Sequence, residues 1–236
     1  MTLSRPLFFR RFLLWLFTHR FLAIARWDLY FLRLRIRNAL TGQKSRIRRA
    51  LSKQPQPLFL NLGSGPRGVV DAHWVNIDGF RDRNVRYLID FGRPLPFPTE
   101  SFDGVFCEHV LEHFSLADGE RIAREVHRVL HAGGCFRLVV PDGELVLRRY
   151  FEAPEALVNR RGTGVETPME VVNLCFRQRY EHQFIYDWLT MENMLLRAGF
   201  AAVCRSAFGQ TSQCPALVLD DQKYEWESLY VDAAKS

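Results

Sequence analysis

The feature of this chain that most constrains its fold is a short apolar run that ends abruptly in a glycine-rich turn. The run covers residues 58–62, the turn is Gly63-Ser64-Gly65, and a second apolar run ends at Asp78. Glycines allow a ligand to approach the backbone, and a carboxylate at the end of the next strand can accept hydrogen bonds from both hydroxyls of a ribose. The pattern predicts a pocket for a nucleoside-containing cofactor, without distinguishing one such cofactor from another.

From residue 58 onward the pattern alternates between strands and helices. A clear amphipathic helix is predicted over 116–130, with Gly133-Gly134 expected to close it. Such alternation is typical of an α/β fold with a mostly parallel sheet. At 236 residues the chain can build one full domain of this kind and an appendage. The predicted strands are 58–62, 74–78, 85–89, 102–107 and 135–140.

The first 53 residues have a different character from the rest of the chain. They hold 13 Lys and Arg but a single acid, Asp28, and residues 5–40 are rich in Phe, Leu and Trp. Arginines interrupt the apolar residues too often for a bilayer-spanning run of about 20 residues. The sequence therefore predicts an N-terminal helical extension and linker over 1–53, with linker character over 41–57, followed by the main domain over 54–236.

Two interpretations of the extension remain open. A basic, apolar helix within 5–40 is typical of peripheral contact with an anionic membrane, here at its cytoplasmic, inner face. The same helix is also compatible with packing on the catalytic domain or on a second subunit in an oligomer. A nucleic-acid arm is disfavoured, because arginines interleaved with so many Leu and Phe residues fit poorly along phosphates.

The cysteines argue for a reducing environment. There are five of them, an odd number, and none forms a C-x-x-C pair. The sequence therefore predicts neither a disulfide framework nor a zinc knuckle, and it favours a cytoplasmic location. They are Cys107, Cys135, Cys175, Cys204 and Cys214.

A series of motifs in a fixed order resembles the class I S-adenosylmethionine-dependent methyltransferases, in particular small bacterial enzymes associated with glycan or lipid biosynthesis. The resemblance implies a Rossmann-like, doubly wound sheet whose last strand, near 227–233, is antiparallel. It also implies S-adenosylmethionine as the cofactor. The motifs are Leu-Asn-Leu-Gly-Ser-Gly at 60–65, Asn-Ile-Asp at 76–78, Leu-Pro-Phe at 95–97, Ser-Phe-Asp at 101–103, His-Val-Leu-Glu-His at 109–113, and the segment from Gly133-Gly134 to Pro141-Asp142.

The same resemblance implies roles for individual residues at the strand ends. The turn would contact the methionine and ribose end of the cofactor, Asp78 the ribose hydroxyls, Asp90 the adenine amino group, and Phe91 the adenine ring. Cys107 and Glu108 would line the methionine side. Asn61 departs from the family pattern, in which an acid often stands. The predicted cofactor-binding residues are Asn61, Gly63, Ser64, Gly65, Asp78, Asp90, Phe91, Cys107 and Glu108.

Two other motifs compete with this interpretation. Gly63, Gly65 and Gly68 satisfy the dinucleotide pattern G-x-G-x-x-G, but the crossover of residues 66–73 is too short for the long helix that faces a pyrophosphate. Residues 109–113 match the zinc-peptidase pattern H-x-x-E-H, but no third ligand follows at a fixed spacing, so we expect no metal site.

The acceptor side of the predicted site is less defined. Residues 143–187 form a basic, aromatic insertion that is either a lid or acceptor pocket or a solvated loop. His109, His113 and His182 are candidates for the catalytic base. The predicted function is methyl transfer to a small-molecule or glycolipid acceptor such as a sugar hydroxyl. A noncatalytic assembly protein of the same fold and an NAD-dependent oxidoreductase remain as alternatives.

Overall fold

The computed structural model describes residues 15–162, 164–211 and 213–236. The chain divides after Arg46 into two compact units. The first contains helix α1, His19–Leu40, whose N-terminus is capped by the Thr18 hydroxyl accepting from the Phe21 N–H at 3.1 Å. Residues 5–14 of the predicted extension lie outside the described residues. Within the described ranges, every helix is too short or too polar to cross a bilayer.

A second helix, α2, covers Gln43–Leu51 and occupies much of the predicted linker. Ile47 of α2 is fully buried in the main core, and Leu51 packs against that core. The linker prediction over 41–57 was therefore wrong for these residues. Basic residues predominate in this helix, and its apolar side, formed by Ile47 and Leu51, is too small to be recognised in the sequence.

The second unit is built on a seven-stranded sheet in the order β3-β2-β1-β4-β5-β7-β6. Strands β1 to β5 pair in parallel, and β7 runs antiparallel to both β5 and β6. This confirms the predicted mostly parallel α/β sheet with an antiparallel last strand. The strands are β1 Phe59–Leu62, β2 Trp74–Asp78, β3 Tyr87–Leu88, β4 Phe102–Glu108, β5 Leu130–Pro141, β6 Ala202–Ser206 and β7 Ser228–Ala234.

Helices surround this sheet. The Ser115 hydroxyl caps α3 by accepting from the Asp118 N–H at 3.2 Å. Helix α3 ends at Val129 and β5 begins with the next residue, so the Gly133-Gly134 pair lies inside the strand and not at the helix end. The helices are α3 Leu116–Val129, α4 Gly143–Glu152, α5 Pro154–Arg161, α6 Pro168–Arg177 and α7 Trp188–Ala198.

The two faces of the sheet carry separate cores. The larger core contains Leu60, Val105 and Phe136 together with residues of α3 and α7. The smaller core contains Trp74 and Phe106 together with residues of the segment between β6 and β7. Successive residues of a strand point to opposite faces, so Phe106 and Cys107 of β4 enter different cores.

The segment of residues 207–227 covers the smaller core, and we call it the β6–β7 cover. Leu217 packs so closely on β4 that a Cβ at Gly104 would lie 2.9 Å from its Cδ2. A disulfide joins Cys214 of the cover to Cys135 of β5, across 79 residues of sequence. The sequence predicted no disulfide framework and did not indicate this single pair. No spacing rule relates two cysteines that only the sheet brings together.

A buried arginine also holds the cover. The side chain of Arg137, on β5, is fully buried and forms ion pairs with Asp220 at 2.6 Å and Asp232 at 2.8 Å. Its guanidinium also donates to the carbonyls of Ala207 and Gln210, at 3.0 and 3.1 Å. Each guanidinium nitrogen thus has a partner, and the cover is tied to β5 and β7.

Candidate active site

The glycine turn follows β1 at the carboxyl edge of the sheet. The Gly63 and Ser64 N–H groups both donate to the Ile77 carbonyl, at 2.9 and 3.0 Å, and tie the turn to β2. Gly63 has a φ of +76°, and a Cβ there would lie 2.1 Å from Cγ2 of Val110. Only glycine therefore fits this position. The Ser64 hydroxyl is buried and has no hydrogen-bond partner in the described part of the chain.

Asp78 lies beside the turn, as the sequence predicts. One carboxylate oxygen accepts from the Gly65 N–H at 2.9 Å, and the other accepts from the Phe80 N–H at 2.8 Å. These bonds fix the carboxylate against the turn and leave a lone pair on each oxygen for a ligand hydroxyl.

Asp90 and Phe91 follow β3. The Asp90 carboxylate accepts from the Gly92 N–H at 2.8 Å and is half-buried. Phe91 is 7% exposed and belongs to the larger core, where its carbonyl accepts from the Arg121 guanidinium at 3.3 Å. Only a small part of the Phe91 ring is left to meet an adenine.

The other three predicted cofactor-binding residues differ in accessibility. Asn61 is buried within the sheet, between Asn76 and Phe106 in neighbouring strands. Cys107 is fully buried in the larger core, and its burial, followed by the nearby carboxylates, raises the pKa of the thiol. Its place in the β4 alternation turns the Cys107 side chain into the larger core.

Glu108 is engaged by groups that the sequence did not indicate. Its carboxylate forms an ion pair with Arg67, at the end of the turn, and accepts from the Asp221 N–H of the β6–β7 cover at 2.8 Å. Burial raises the pKa of Glu108, although this N–H and the Arg67 charge act in the opposite direction. Arg67 and Glu108 together connect the glycine turn to the cover.

The three candidate histidines lie around one buried carboxylate. Nδ1 of His109 lies 3.2 Å from Oε1 of Glu112, and its Nε2 lies 2.9 Å from the Ser228 hydroxyl. The His109 ring stacks on Tyr224 of the cover at 3.8 Å between centroids. Its φ of +52° is a strained conformation for a side chain with a Cβ, which is typical of functional sites.

His113 and His182 complete this group. Their rings are 5.0 Å apart, although the two residues are far apart in sequence. The Gln183 N–H donates to the Glu112 carbonyl at 2.7 Å and so connects the insertion to the loop after β4. Burial lowers the pKa of His182. Burial acts to raise the pKa of Glu112, but its hydrogen bond to His109 and the histidine charges bring it below its ordinary value.

Comparisons with known proteins agree with this arrangement. Residues 72–138, which include β2 to β4, α3 and most of β5, match the family model described as a methyltransferase domain. A segment of 56 residues is 45% identical to the uncharacterized methyltransferase YcgJ of Bacillus subtilis (strain 168). That segment is 24% of this chain and 21% of the relative, so the chain spans about a fifth of the relative's length.

Residues 72–138 carry a methyltransferase domain, and the sheet has the mostly parallel strands and antiparallel last strand that the class I resemblance implies.

Solved structures of low identity align with most of the chain at TM-scores below 0.5. The methyltransferase domain of this chain is similar to an S-adenosylmethionine-dependent methyltransferase from Mesorhizobium loti, with a TM-score of 0.46, 20% identity, and coverage of 78% of this chain and 94% of that one. The crystal structure of YcgJ from Bacillus subtilis gives a TM-score of 0.44 and 15% identity, and covers 83% of this chain and 99% of that one.

The carboxyl edge of the methyltransferase domain fits S-adenosylmethionine. Among the described residues, Ser64 provides a buried hydroxyl without a hydrogen-bond partner, a Cβ at Gly65 would meet no atom within 4 Å, and Asp78 keeps acceptor capacity beside the turn. The residues that would hold the cofactor are Gly63, Ser64, Gly65, Asp78 and Asp90.

The sequence missed the contribution of the β6–β7 cover to this domain. Arg67, Asp221, Tyr224 and Ser228 all contact predicted site residues. Only Ser228 had a signal, because it begins the last strand. Asp221 and Tyr224 lie in the cover, which Arg137 and the disulfide fix to the sheet, and Arg67 lies at the end of the glycine turn.

Proposed function

We propose that the chain transfers a methyl group from S-adenosylmethionine to a hydroxyl of a small-molecule or glycolipid acceptor, with a sugar as the acceptor class. The observation that carries the proposal is the bond from the Gly65 N–H to the Asp78 carboxylate, at 2.9 Å. It joins the glycine turn to the acid that would accept the ribose hydroxyls.

The same turn argues against an NAD-dependent oxidoreductase. The crossover from β1 to β2 contains a single 3-10 turn, Gly65–Arg67, where a dinucleotide fold carries a long helix. A pyrophosphate would therefore lack the helix N-terminus that normally binds it. S-adenosylmethionine has no phosphate and needs no such helix.

The chain's own residues would align the reactants, exclude water and accept a proton. S-adenosylmethionine, when bound, supplies an activated methyl group for in-line displacement. His109 is the proposed base: with its Nδ1–H directed at Glu112, its Nε2 keeps a lone pair that now faces the Ser228 hydroxyl. The hydroxyl of a bound acceptor would replace the Ser228 hydroxyl as the hydrogen-bond partner of Nε2 and would donate its proton to that nitrogen.

A cavity in the insertion supports an acceptor that carries an anionic group. Its volume is about 500 Å³, and it is lined by Arg149 and Arg160 of the insertion and Trp226 of the cover, among others. Arg149 and Arg161 also lie over the Trp226 ring, at 5.9 and 6.0 Å from its centroid. Arginine binds phosphate and carboxylate groups through paired donors, and an indole provides an apolar wall for a sugar ring.

Helix α1 supports a membrane-associated acceptor. Five apolar side chains that fall on one helical stripe are largely exposed: Phe21, Leu29, Leu32, Ile36 and Leu40. Arg26, Arg33 and Arg37 follow the edge of this stripe at the same helical spacing. Apolar residues with flanking arginines are typical of a helix that lies on an anionic membrane.

Cofactor binding is tested at Asp78. We expect Asp78→Ala to weaken binding of S-adenosylhomocysteine by about 30-fold, because a charged group that contacts hydroxyls contributes about 2 kcal/mol. Isothermal titration calorimetry measures the change. Asp71→Ala is the matched control, since Asp71 is an exposed carboxylate of the same crossover that also accepts a backbone N–H. Equal affinity of the two variants would remove Asp78 from the site.

Membrane contact is tested by sedimentation with vesicles. We expect the full chain to sediment with vesicles that contain phosphatidylglycerol, and Leu29→Glu/Ile36→Glu to remain in the supernatant. The control Leu189→Glu/Leu196→Glu changes two exposed leucines of α7 and should sediment like the unaltered chain. Sedimentation of both double variants to the same extent would contradict the role of α1.

A further inference from the structure

The loop after β4 and the helical insertion together form a cluster of metal-ligand side chains. The 3-10 turn Leu111–His113 presents Glu112 and His113, and the segment after α6 presents His182. One ligand atom from each of the three lies within 4.8 Å of the other two. No fixed spacing in the sequence revealed the third ligand, because it is 69 residues beyond His113 and only the fold brings it there.

The hydrogen bonds of His113 and His182 use one ring nitrogen of each side chain and leave the other available to a metal ion. Nδ1 of His113 lies 3.2 Å from the Glu181 carbonyl, and Nδ1 of His182 lies 2.6 Å from the Cys175 carbonyl. A carbonyl oxygen can only accept, so each Nδ1 must carry the proton. Each Nε2 then has a free lone pair. Metal-binding histidines characteristically donate their second N–H to a carbonyl or carboxylate in this way.

The carboxylate of the cluster is incompletely satisfied. Glu112 is fully buried, its Oε1 has Nδ1 of His109 at 3.2 Å, and its Oε2 has no hydrogen-bond partner among the described residues. A buried carboxylate oxygen without a partner is costly, and protein structures retain such groups where a ligand satisfies them. His109 would orient the carboxylate through its Nδ1, 3.2 Å from Oε1.

We propose that Glu112, His113 and His182 bind a zinc ion. Two imidazole nitrogens and one carboxylate match the three-ligand zinc sites that keep a fourth position open. Magnesium and calcium prefer ligand sets made of oxygen alone, so the two nitrogens argue against them. This inference changes the sequence-based expectation that the H-x-x-E-H motif holds no metal. It does not depend on the proposed methyl transfer.

The test is zinc binding by the full chain after treatment with a chelator and dialysis against Zn²⁺. We expect one tightly bound zinc per chain by elemental analysis, and a rise in the thermal midpoint with zinc concentration. Glu112→Gln and His182→Gln should each weaken zinc binding by at least about 100-fold, because each removes one of three ligands. Circular dichroism establishes that the variants are folded, and Co²⁺ substitution reports the ligand set through its visible spectrum.

His73→Ala is the matched control. The Nδ1 of His73 also lies 2.7 Å from a carbonyl, that of Pro57, but His73 is not part of the cluster. Zinc binding that persists in His73→Ala and is lost in the ligand variants would support the site. No bound zinc, zinc binding unchanged in the ligand variants, or preference for Mg²⁺ would overturn it. Calorimetry with S-adenosylhomocysteine on the same samples separates failure of the metal site from failure of the cofactor site.

Discussion

Two buried charged groups of this domain, Arg137 and Glu112, have the same burial and opposite surroundings. The side chains of both are 0% exposed. The Arg137 guanidinium is surrounded by two carboxylates, a hydroxyl and backbone carbonyls. Glu112 has one histidine near one oxygen, and no hydrogen-bond partner at the other among the described residues.

This difference separates a structural role from a binding role. A buried charge whose partners are all supplied by the protein stabilises one arrangement, and Arg137 fixes the β6–β7 cover to the sheet. A buried charge with unused acceptor capacity has that capacity available to a ligand. The extent of burial alone does not distinguish the two residues.

The largest effect is expected from Arg137→Met. We expect a loss of about 3–5 kcal/mol in the free energy of unfolding, because Asp220 and Asp232 would be left buried without their cation. Urea unfolding of the purified chain measures this change. The control Arg124→Ala removes an exposed pair with Glu120 on α3 and should cost about 0.5 kcal/mol or less. If the two variants lost the same stability, Arg137 would have no structural role.

A smaller effect is expected from Glu112→Gln. In zinc-free protein we expect a loss of about 1 kcal/mol or less, because the amide keeps the shape of the side chain and one oxygen acceptor for His109. Urea unfolding with chelator present gives the value, and addition of Zn²⁺ should then stabilise the unaltered chain but not the variant. A loss as large as that of Arg137→Met would show that Glu112 is a structural residue, and would contradict the difference in role between Arg137 and Glu112.

The sequence predicts that the turn and Asp78 lie side by side because this part of the candidate site is local. The turn and Asp78 are separated by one short crossover, and their contacts use backbone groups of glycines and a strand end. The order of strands and the antiparallel last strand follow from the alternation of elements and the family resemblance. Strand alternation also explains why the Cys107 side chain, which follows Phe106, enters the opposite core.

The contacts of the candidate histidines could not be predicted, because they join segments that are distant in the sequence. Glu112 meets His182 through the insertion, and His109 meets Tyr224 of the cover and Ser228 of β7. The cover in turn is positioned by Arg137 and by the Cys135–Cys214 disulfide. None of these contacts has a fixed spacing along the chain. Helix α2 was missed for a different reason. Its single fully buried residue, Ile47, is flanked in the sequence by Arg46 and Arg48.

The most direct test of the central claim is a calorimetric titration of the full chain with S-adenosylhomocysteine and, separately, with NAD. We predict one bound S-adenosylhomocysteine per chain and no binding of NAD, because the crossover after the glycine turn has no helix to receive a pyrophosphate. Binding of NAD without binding of S-adenosylhomocysteine would contradict the assignment of the turn to a methyl-donor cofactor.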